Sequence, residues 1–91
     1  LVGAMVRDGQ GSIQKLDCTG LFVYVGSDPR TNLLQDFCEL DVSGHVAVDG
    51  HMATGVAGLY AVGDIRQKSS GLLLGSAADG MTAARAIVAK D

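Results

Sequence analysis

An α/β fold is predicted for this 91-residue chain from three features of its sequence. A polar, glycine-containing stretch at 8–11 separates two short runs suited to paired strands. The uncharged run 59–62 (Leu-Tyr-Ala-Val) is flanked by glycines, as in a strand covered on both faces. Residues 73–89 space their apolar and small side chains at helical intervals. The expected architecture is therefore short β-strands and hairpins followed by a C-terminal helix.

The first part of the chain is predicted to be mostly strand. Runs 1–7 and 12–17 form a hairpin, because glycines between them permit a tight turn. The run 21–25 is β-branched and aromatic, so it is a third strand, and Pro29 ends its ladder. Residues 31–37 are expected to make one or two helical turns, with Thr31 as a candidate cap.

The second part is predicted to alternate a hairpin, a buried strand and the final helix. Residues 41–49 form the hairpin, with its turn at Ser43-Gly44. The buried strand 59–62 follows, and after it comes a polar loop, 64–71. The helical spacing of the last element is carried by Leu74, Ala77, Ala78, Met81, Ala84, Ile87 and Val88.

Composition indicates part of a larger protein. Hydrophobic residues make up 47% of the chain and aromatic residues only 4%. Such a chain buries a modest core and leaves apolar surface in need of a neighbour. Leu1 stands where an initiator Met would, so we interpret the chain as cut from a longer one.

Charge and cysteine usage restrict the partners. The net charge of −3, with dispersed Lys and Arg, argues against nucleic acid. No apolar run reaches the length of a membrane span, so no membrane association is expected. Cys18 and Cys38 form no C-x-x-C and are predicted to be buried or half-buried thiols of a cytoplasmic protein. No metal-ligating cluster is expected.

The Gly63-Asp64 pair is the candidate binding feature. Gly63 lets the backbone approach a ligand, and Asp64 follows the carboxyl end of the predicted strand 59–62. Ligands of open α/β sheets bind at that edge, and a carboxylate there suits a sugar or polyol hydroxyl. Gly-Asp is also a common turn dipeptide, so the pair alone is a weak signal.

The neighbours of this pair make the signal specific. The pattern T-x-x-x-G-h-[FY]-A-x-G-D, with h apolar, resembles the second flavin-binding motif of FAD-dependent pyridine nucleotide–disulfide oxidoreductases, in particular the thioredoxin reductases. The matching residues are Thr54, Gly58, Leu59, Tyr60, Ala61, Gly63 and Asp64. The segments 20–34 and 76–84 also resemble that family, so the resemblance covers nearly the whole chain.

The resemblance implies a partial, Rossmann-like, three-layer FAD/NAD(P)-binding domain. Residues 1–25 would be the end of an NADPH-binding domain, and residues 26–91 the C-terminal part of an FAD-binding domain. Gly63 and Asp64 would contact FAD, with Asp64 on the ribityl hydroxyls. The backbone of Leu72 and Leu73 would meet the flavin at the start of the final helix.

The same resemblance implies an enzyme that passes electrons from NADPH through FAD to a thioredoxin-like disulfide substrate. No catalytic residue is assigned within this chain. It has no G-x-G-x-x-G turn and no C-x-x-C pair, so it is predicted to be incomplete for catalysis alone. His45 and His51 are interpreted as surface residues, and Arg66 as a loop charge rather than a contact to the FAD pyrophosphate.

Two alternatives remain open from the sequence. The chain could be a folded fragment without cofactor that forms a homodimer, or otherwise self-associates, through its exposed apolar surface. It could also be the same portion of a related flavoprotein, such as a ferredoxin–NADP reductase-like or alkyl hydroperoxide reductase protein.

Overall fold

The hairpin at the start of the chain is present as predicted. In the computed structural model, which describes residues 1–90, strands β1 (Gly3–Arg7) and β2 (Ile13–Asp17) pair antiparallel. The carboxylate of Asp8 accepts the backbone N–H groups of Gln10 and Ser12, both at 2.9 Å, and so closes the turn. Asp91, the last residue of the range 26–91 predicted to belong to an FAD-binding domain, lies outside the described residues.

The hairpin stands apart from the remaining elements. Strand β2 is exposed along its whole length, and the two strands contact each other but no helix. The radius of gyration is 18.7 Å, against about 12 Å for a compact domain of this length. The chain is therefore elongated.

The prediction of a third strand at 21–25 is wrong. These residues join no ladder in the structure, and each of their side chains is at least 64% exposed. The rings of Phe22 and Tyr24 stack at 6.4 Å between centroids. A run of β-forming residues becomes a strand only when another strand pairs with it, and none of residues 1–90 lies alongside.

A small core lies between residues 34 and 65. Cys38, Val46 and Ala61 are buried at its centre. The half-buried side chains packed around them are Leu34, Leu40, Val48, Val56, Leu59 and Ile65. Cys38 is buried and Cys18 half-buried, both as free thiols, which confirms the predicted burial of the two cysteines.

Residues 31–49 depart in part from the predicted helix and hairpin. The predicted helical turns reduce to a 3-10 turn at Asn32–Leu34, and Thr31 does not cap it with its side chain. The Thr31 hydroxyl instead donates to the Gly44 carbonyl at 2.6 Å. The predicted turn at Ser43-Gly44 is present, with Gly44 at φ +87°. The flanking residues form isolated β-bridges instead of strands: Val46 bridges Leu40 and also Arg66.

The buried strand predicted at 59–62 is also wrong within this chain. The segment carries one β-bridge, between Ala53 and Tyr60, and Val62 is 39% exposed. A strand covered on both faces needs a paired neighbour and a packed layer on each side. The small core covers only part of this segment.

The C-terminal helix has the predicted bounds but a different packed face. Helix α1 spans Leu73–Ala89, and its buried residues are Asp79 and Ala83. The apolar and small residues that defined the helical spacing are all exposed; they are Leu74, Ala77, Ala78, Met81, Ala84, Ile87 and Val88. The helix packs through a face of small and polar residues, because that face meets the turn at Gly63–Ile65. No helix among residues 1–90 is long and apolar enough to cross a membrane.

Candidate functional site

The Gly63–Ile65 turn brings the chain against the first turn of α1. Gly63 is buried and has φ +80°, a conformation that side chains disfavour. A Cβ at this position would lie 3.2 Å from the Ser76 hydroxyl oxygen. The turn is closed by the Arg66 N–H, which donates to the Gly63 carbonyl at 3.1 Å. Glycine is therefore required here both by the backbone and by the close approach of the helix.

The motif residues upstream shape the approach to this turn. The Thr54 hydroxyl donates to the Leu59 carbonyl at 2.9 Å and accepts the Val56 N–H at 3.1 Å. Gly58 supplies the left-handed backbone within this loop, with φ +83°. These contacts explain why a Thr and a Gly stand at this spacing before the extended segment 59–62.

Asp64 is exposed beside the start of the helix. Its Oδ1 accepts a hydrogen bond from the Ser76 hydroxyl at 3.3 Å, and Ser76 lies in the first turn of α1. Within the described chain, Asp64 forms no ion pair. Its second carboxylate oxygen therefore remains available to accept hydrogen bonds from a ligand.

The start of α1 is open. Its N-cap, Leu72, has no capping side chain, and the first-turn N–H groups have no partner within the helix. The Leu72 N–H contacts the Ser70 hydroxyl at 3.3 Å, whereas the side chains of Leu72 and Leu73 are 66% and 86% exposed. The positive end of the helix dipole thus lies close to Asp64 and favours a ligand with negative charge.

A buried ion pair lies behind Asp64. Arg66 Nε is 2.5 Å from Asp79 Oδ2, and Arg66 Nη2 is 2.8 Å from Asp79 Oδ1. The side chains are 17% and 8% exposed, so the prediction that Arg66 is a loop charge is wrong. The Arg66 guanidinium lowers the pKa of Asp79, and Asp79 raises the pKa of Arg66.

Sequence reasoning missed this pair, although one signal was present. Asp79 is the only acidic residue within α1, and it lies among small residues. A lone carboxylate in such a helix is seldom buried without a cationic partner. Arg66, which follows the motif by two residues, is that partner in the structure.

An open cavity of about 250 Å³ adjoins Asp64. Its lining is mostly polar and comprises Ser27, His45, Asp64, Arg66, Lys68, Ser69 and Gly71. His45 is half-buried, with Nδ1 3.7 Å from Asp41 Oδ1, so its assignment as a surface residue holds only in part; His51 is exposed as predicted. A carboxylate acceptor, hydroxyl groups and an open helix start fit the hydroxyl-rich chain of a nucleotide cofactor.

These features together indicate a class of protein. A carboxylate beside a helix start in an α/β chain suits the binding of a nucleotide cofactor. Residues 3–87 match the model of a protein family described as pyridine nucleotide-disulphide oxidoreductase. The chain belongs to this family.

The relatives that match it include thioredoxin reductases. One from Peptoclostridium litorale is 43% identical over 65 residues, covering 71% of this chain and 21% of that protein. Another, from Treponema pallidum, is 38% identical over 76 residues, covering 84% of this chain and 24% of that protein. The chain therefore spans about a quarter or less of the length of these two curated relatives.

A solved structure agrees over almost the whole chain. The crystal structure of T. acidophilum thioredoxin reductase matches with a TM-score of 0.73 at 31% identity, covering 98% of this chain and 30% of that one. This likeness confirms the predicted fold class, a partial Rossmann-like α/β domain. The matched protein is more than three times as long as this chain.

Proposed function

We propose that this chain is the C-terminal, FAD-binding portion of a thioredoxin reductase-like protein. The observation that carries the proposal is the exposed Asp64 carboxylate, held beside the open start of α1 and next to a polar cavity. The whole protein would transfer electrons from NADPH through FAD to the disulfide of a thioredoxin-like partner. The chain holds no G-x-G-x-x-G turn, so this portion is incomplete for that reaction.

Asp64 would hold the polyol part of FAD. An ionised carboxylate only accepts hydrogen bonds, so it selects hydroxyl donors and disfavours phosphate at that point. Ser76 contacts Oδ1 and leaves Oδ2 for the ligand. Gly63 contributes by having no side chain where the turn approaches the helix.

The start of α1 would stabilise negative charge on the cofactor. FAD, when bound, supplies the capacity to accept a hydride and to release electrons to a disulfide. The first-turn N–H groups of α1 at Leu73 and beyond, together with the helix dipole, favour added charge on a ring placed before them. Leu72 and Leu73 would take part through their backbone, since neither side chain is polar.

The two predicted parts of the chain agree with the distribution of contacts. We assign residues 1–25 to the end of an NADPH-binding domain and residues 26–91 to the FAD-binding domain. The separation of the hairpin from α1 and from the core supports this division. The free thiols of Cys18 and Cys38 are compatible with the cytoplasm, where we place the protein. Self-association through exposed apolar side chains stays a prediction.

The replacement Asp64→Ala in the full-length protein tests the proposal. Hydrogen bonds to a charged group contribute about 1.5–3 kcal/mol, so we expect FAD to bind about 10- to 100-fold more weakly. FAD affinity is measured by titrating the cofactor-free protein and following flavin fluorescence. Asp36→Ala, at an exposed carboxylate, is the matched control. Unchanged flavin affinity in Asp64→Ala would refute the proposed function.

A further inference from the structure

We propose that Arg66 and Asp79 are positioning residues for the flavin site, here called the Arg66–Asp79 clamp. The clamp fixes the Gly63–Ile65 turn on α1 and keeps the Asp64 carboxylate free for the ligand. This inference rests on the proposed function, because it concerns how Asp64 is held. Arg66 and Asp79, however, both lie outside the flavin-binding motif at 54–64.

One carboxylate joins both ends of the turn that carries Asp64. Asp79 Oδ2 accepts the Gly63 N–H at 3.0 Å and also Arg66 Nε, while Oδ1 accepts Arg66 Nη2. Gly63 directly precedes Asp64, and Arg66 follows it by two residues. The chain is therefore tied to Asp79 on both sides of Asp64, through the backbone N–H of Gly63 and through the side chain of Arg66.

The side chain of Asp64 contributes little to its own placement. Its one hydrogen bond within the described residues is to Ser76, at a long 3.3 Å. A single long, exposed hydrogen bond is weak. The position of the carboxylate is thus set by the backbone. The clamp holds that backbone on α1, and the Val46 N–H, which donates to the Ile65 carbonyl at 2.9 Å, holds it on the core.

The clamp also holds the Arg66 guanidinium away from other carboxylates. Arg66 and Asp64 line the same cavity and are two residues apart in the chain. Asp79 binds the guanidinium through two nitrogens, and the Gln67 carbonyl accepts Nη1 at 3.0 Å. A guanidinium released from Asp79 would form an ion pair with another carboxylate, and Asp64 is the carboxylate that lines the same cavity. An Arg66–Asp64 pair would then occupy the oxygens that the cofactor needs.

The test measures FAD affinity in the full-length, cofactor-free protein by fluorescence titration. Asp79→Asn removes the charge but keeps an oxygen that can accept the Gly63 N–H. We expect it to weaken FAD binding by about tenfold, as for other residues that support a ligand-binding group. Adding Arg66→Met to this variant removes the released cation, so the double variant should recover most of the affinity. A merely structural role predicts no such recovery.

Three controls accompany these variants. Asp36→Asn and Arg85→Met repeat the same changes at exposed positions and should leave the affinity within about twofold. Cys38→Ala opens the buried core away from the clamp, so it lowers stability without touching Asp64. Its FAD affinity, measured on folded protein, should stay near that of the unaltered protein.

Several results would contradict the proposed role of the clamp. Normal FAD affinity in Asp79→Asn, alongside a loss in Asp64→Ala, would remove the clamp and leave the proposed function intact. A double variant no better than Asp79→Asn would remove the competition between Arg66 and Asp64. Normal affinity in Asp64→Ala would overturn both proposals together.

A variant that retains the Arg66 charge covers the case in which Asp79→Asn does not fold. Arg66→Lys keeps the cation but cannot bind both carboxylate oxygens in the same fork. A several-fold weaker FAD affinity in this variant supports the clamp, and unchanged affinity overturns it.

Discussion

The carboxylate of Asp79 accepts the backbone N–H of Gly63, sixteen residues earlier, at 3.0 Å. This bond joins the middle of helix α1 to the turn that follows the extended segment 59–62. The N–H would otherwise be a buried donor without a partner, since Gly63 is buried. The helix is thus attached to the chain at the point where the candidate ligand-binding carboxylate is presented.

The Asp79 contacts make the stability of the protein sensitive to acid. The hydrogen bonds from Arg66, followed by that from Gly63, hold the pKa of Asp79 below its ordinary value of 3.8, against the opposing effect of burial. A depressed pKa in the folded state means that the stabilisation is fully present above the ordinary value. It is lost as pH falls through the lower, folded-state pKa. Urea unfolding of the unaltered protein and Asp79→Asn should therefore differ most above about pH 5. The difference should shrink only as the pH falls below 3.8, towards the folded-state pKa.

The difference between the two proteins is the quantity to follow. Asp41 and Asp49 also have lowered pKa values, chiefly because the backbone N–H groups of His45 and Ala53 donate to them. Both proteins will consequently lose some stability in acid. Asp36→Asn, made in parallel, repeats the substitution at an exposed position and serves as the matched control. A gap between the unaltered protein and Asp79→Asn that stays constant down to pH 2 contradicts the assignment.

Gly63→Ala should destabilise the protein through two separate effects. The left-handed backbone at φ +80° costs a side chain roughly 1–2 kcal/mol. The added methyl would also lie 3.2 Å from the Ser76 hydroxyl oxygen, so the Ser76 side chain must move by a few tenths of an ångström. Gly58→Ala is the matched control, since Gly58 has φ +83° and open space around it. We expect Gly63→Ala to lose about 1 kcal/mol more than Gly58→Ala in urea unfolding, within the range for crowding a packed site.

Equal losses in the two alanine variants would show that the helix does not press on the turn. A larger loss in Gly58→Ala would place the tighter contact in the loop that carries Thr54. Both outcomes would also weaken the case for Ser76 as the partner of Asp64.

The sequence predicts elements well where the signal is local and poorly where a distant partner decides. Helix α1 has the bounds predicted from spacing, and the β1–β2 turn follows from its glycines and Asp8. The runs 21–25 and 59–62 have strand-forming residues, but a strand also needs a paired neighbour. Among residues 1–90, the run 21–25 has no such neighbour, and the run 59–62 has only the single bridge from Tyr60 to Ala53.

The candidate site also contains residues that local sequence predicts and residues that depend on distant packing. Gly63 and Asp64 were identified because their neighbours in sequence complete a motif. The partnership of Arg66 with Asp79 depends on which face of α1 packs inward, and apolar spacing indicates the opposite face. Small residues decide the packing here, because the backbone of the turn must approach the helix closely.

The Thr31 hydroxyl offers a final test of how the core is closed. Thr31 is 4% exposed and donates to the Gly44 carbonyl at 2.6 Å, which ties the 3-10 turn to the turn at Ser43-Gly44. Thr31→Val keeps the shape but removes the donor, so the carbonyl loses its partner at a cost of about 1–2 kcal/mol in urea unfolding. Thr31→Ser, which retains the hydroxyl, should recover most of that loss. Thr19→Val, at an exposed position, should change stability by less than about 0.5 kcal/mol. If Thr31→Val is as stable as the unaltered protein, this hydrogen bond does not hold the two turns together.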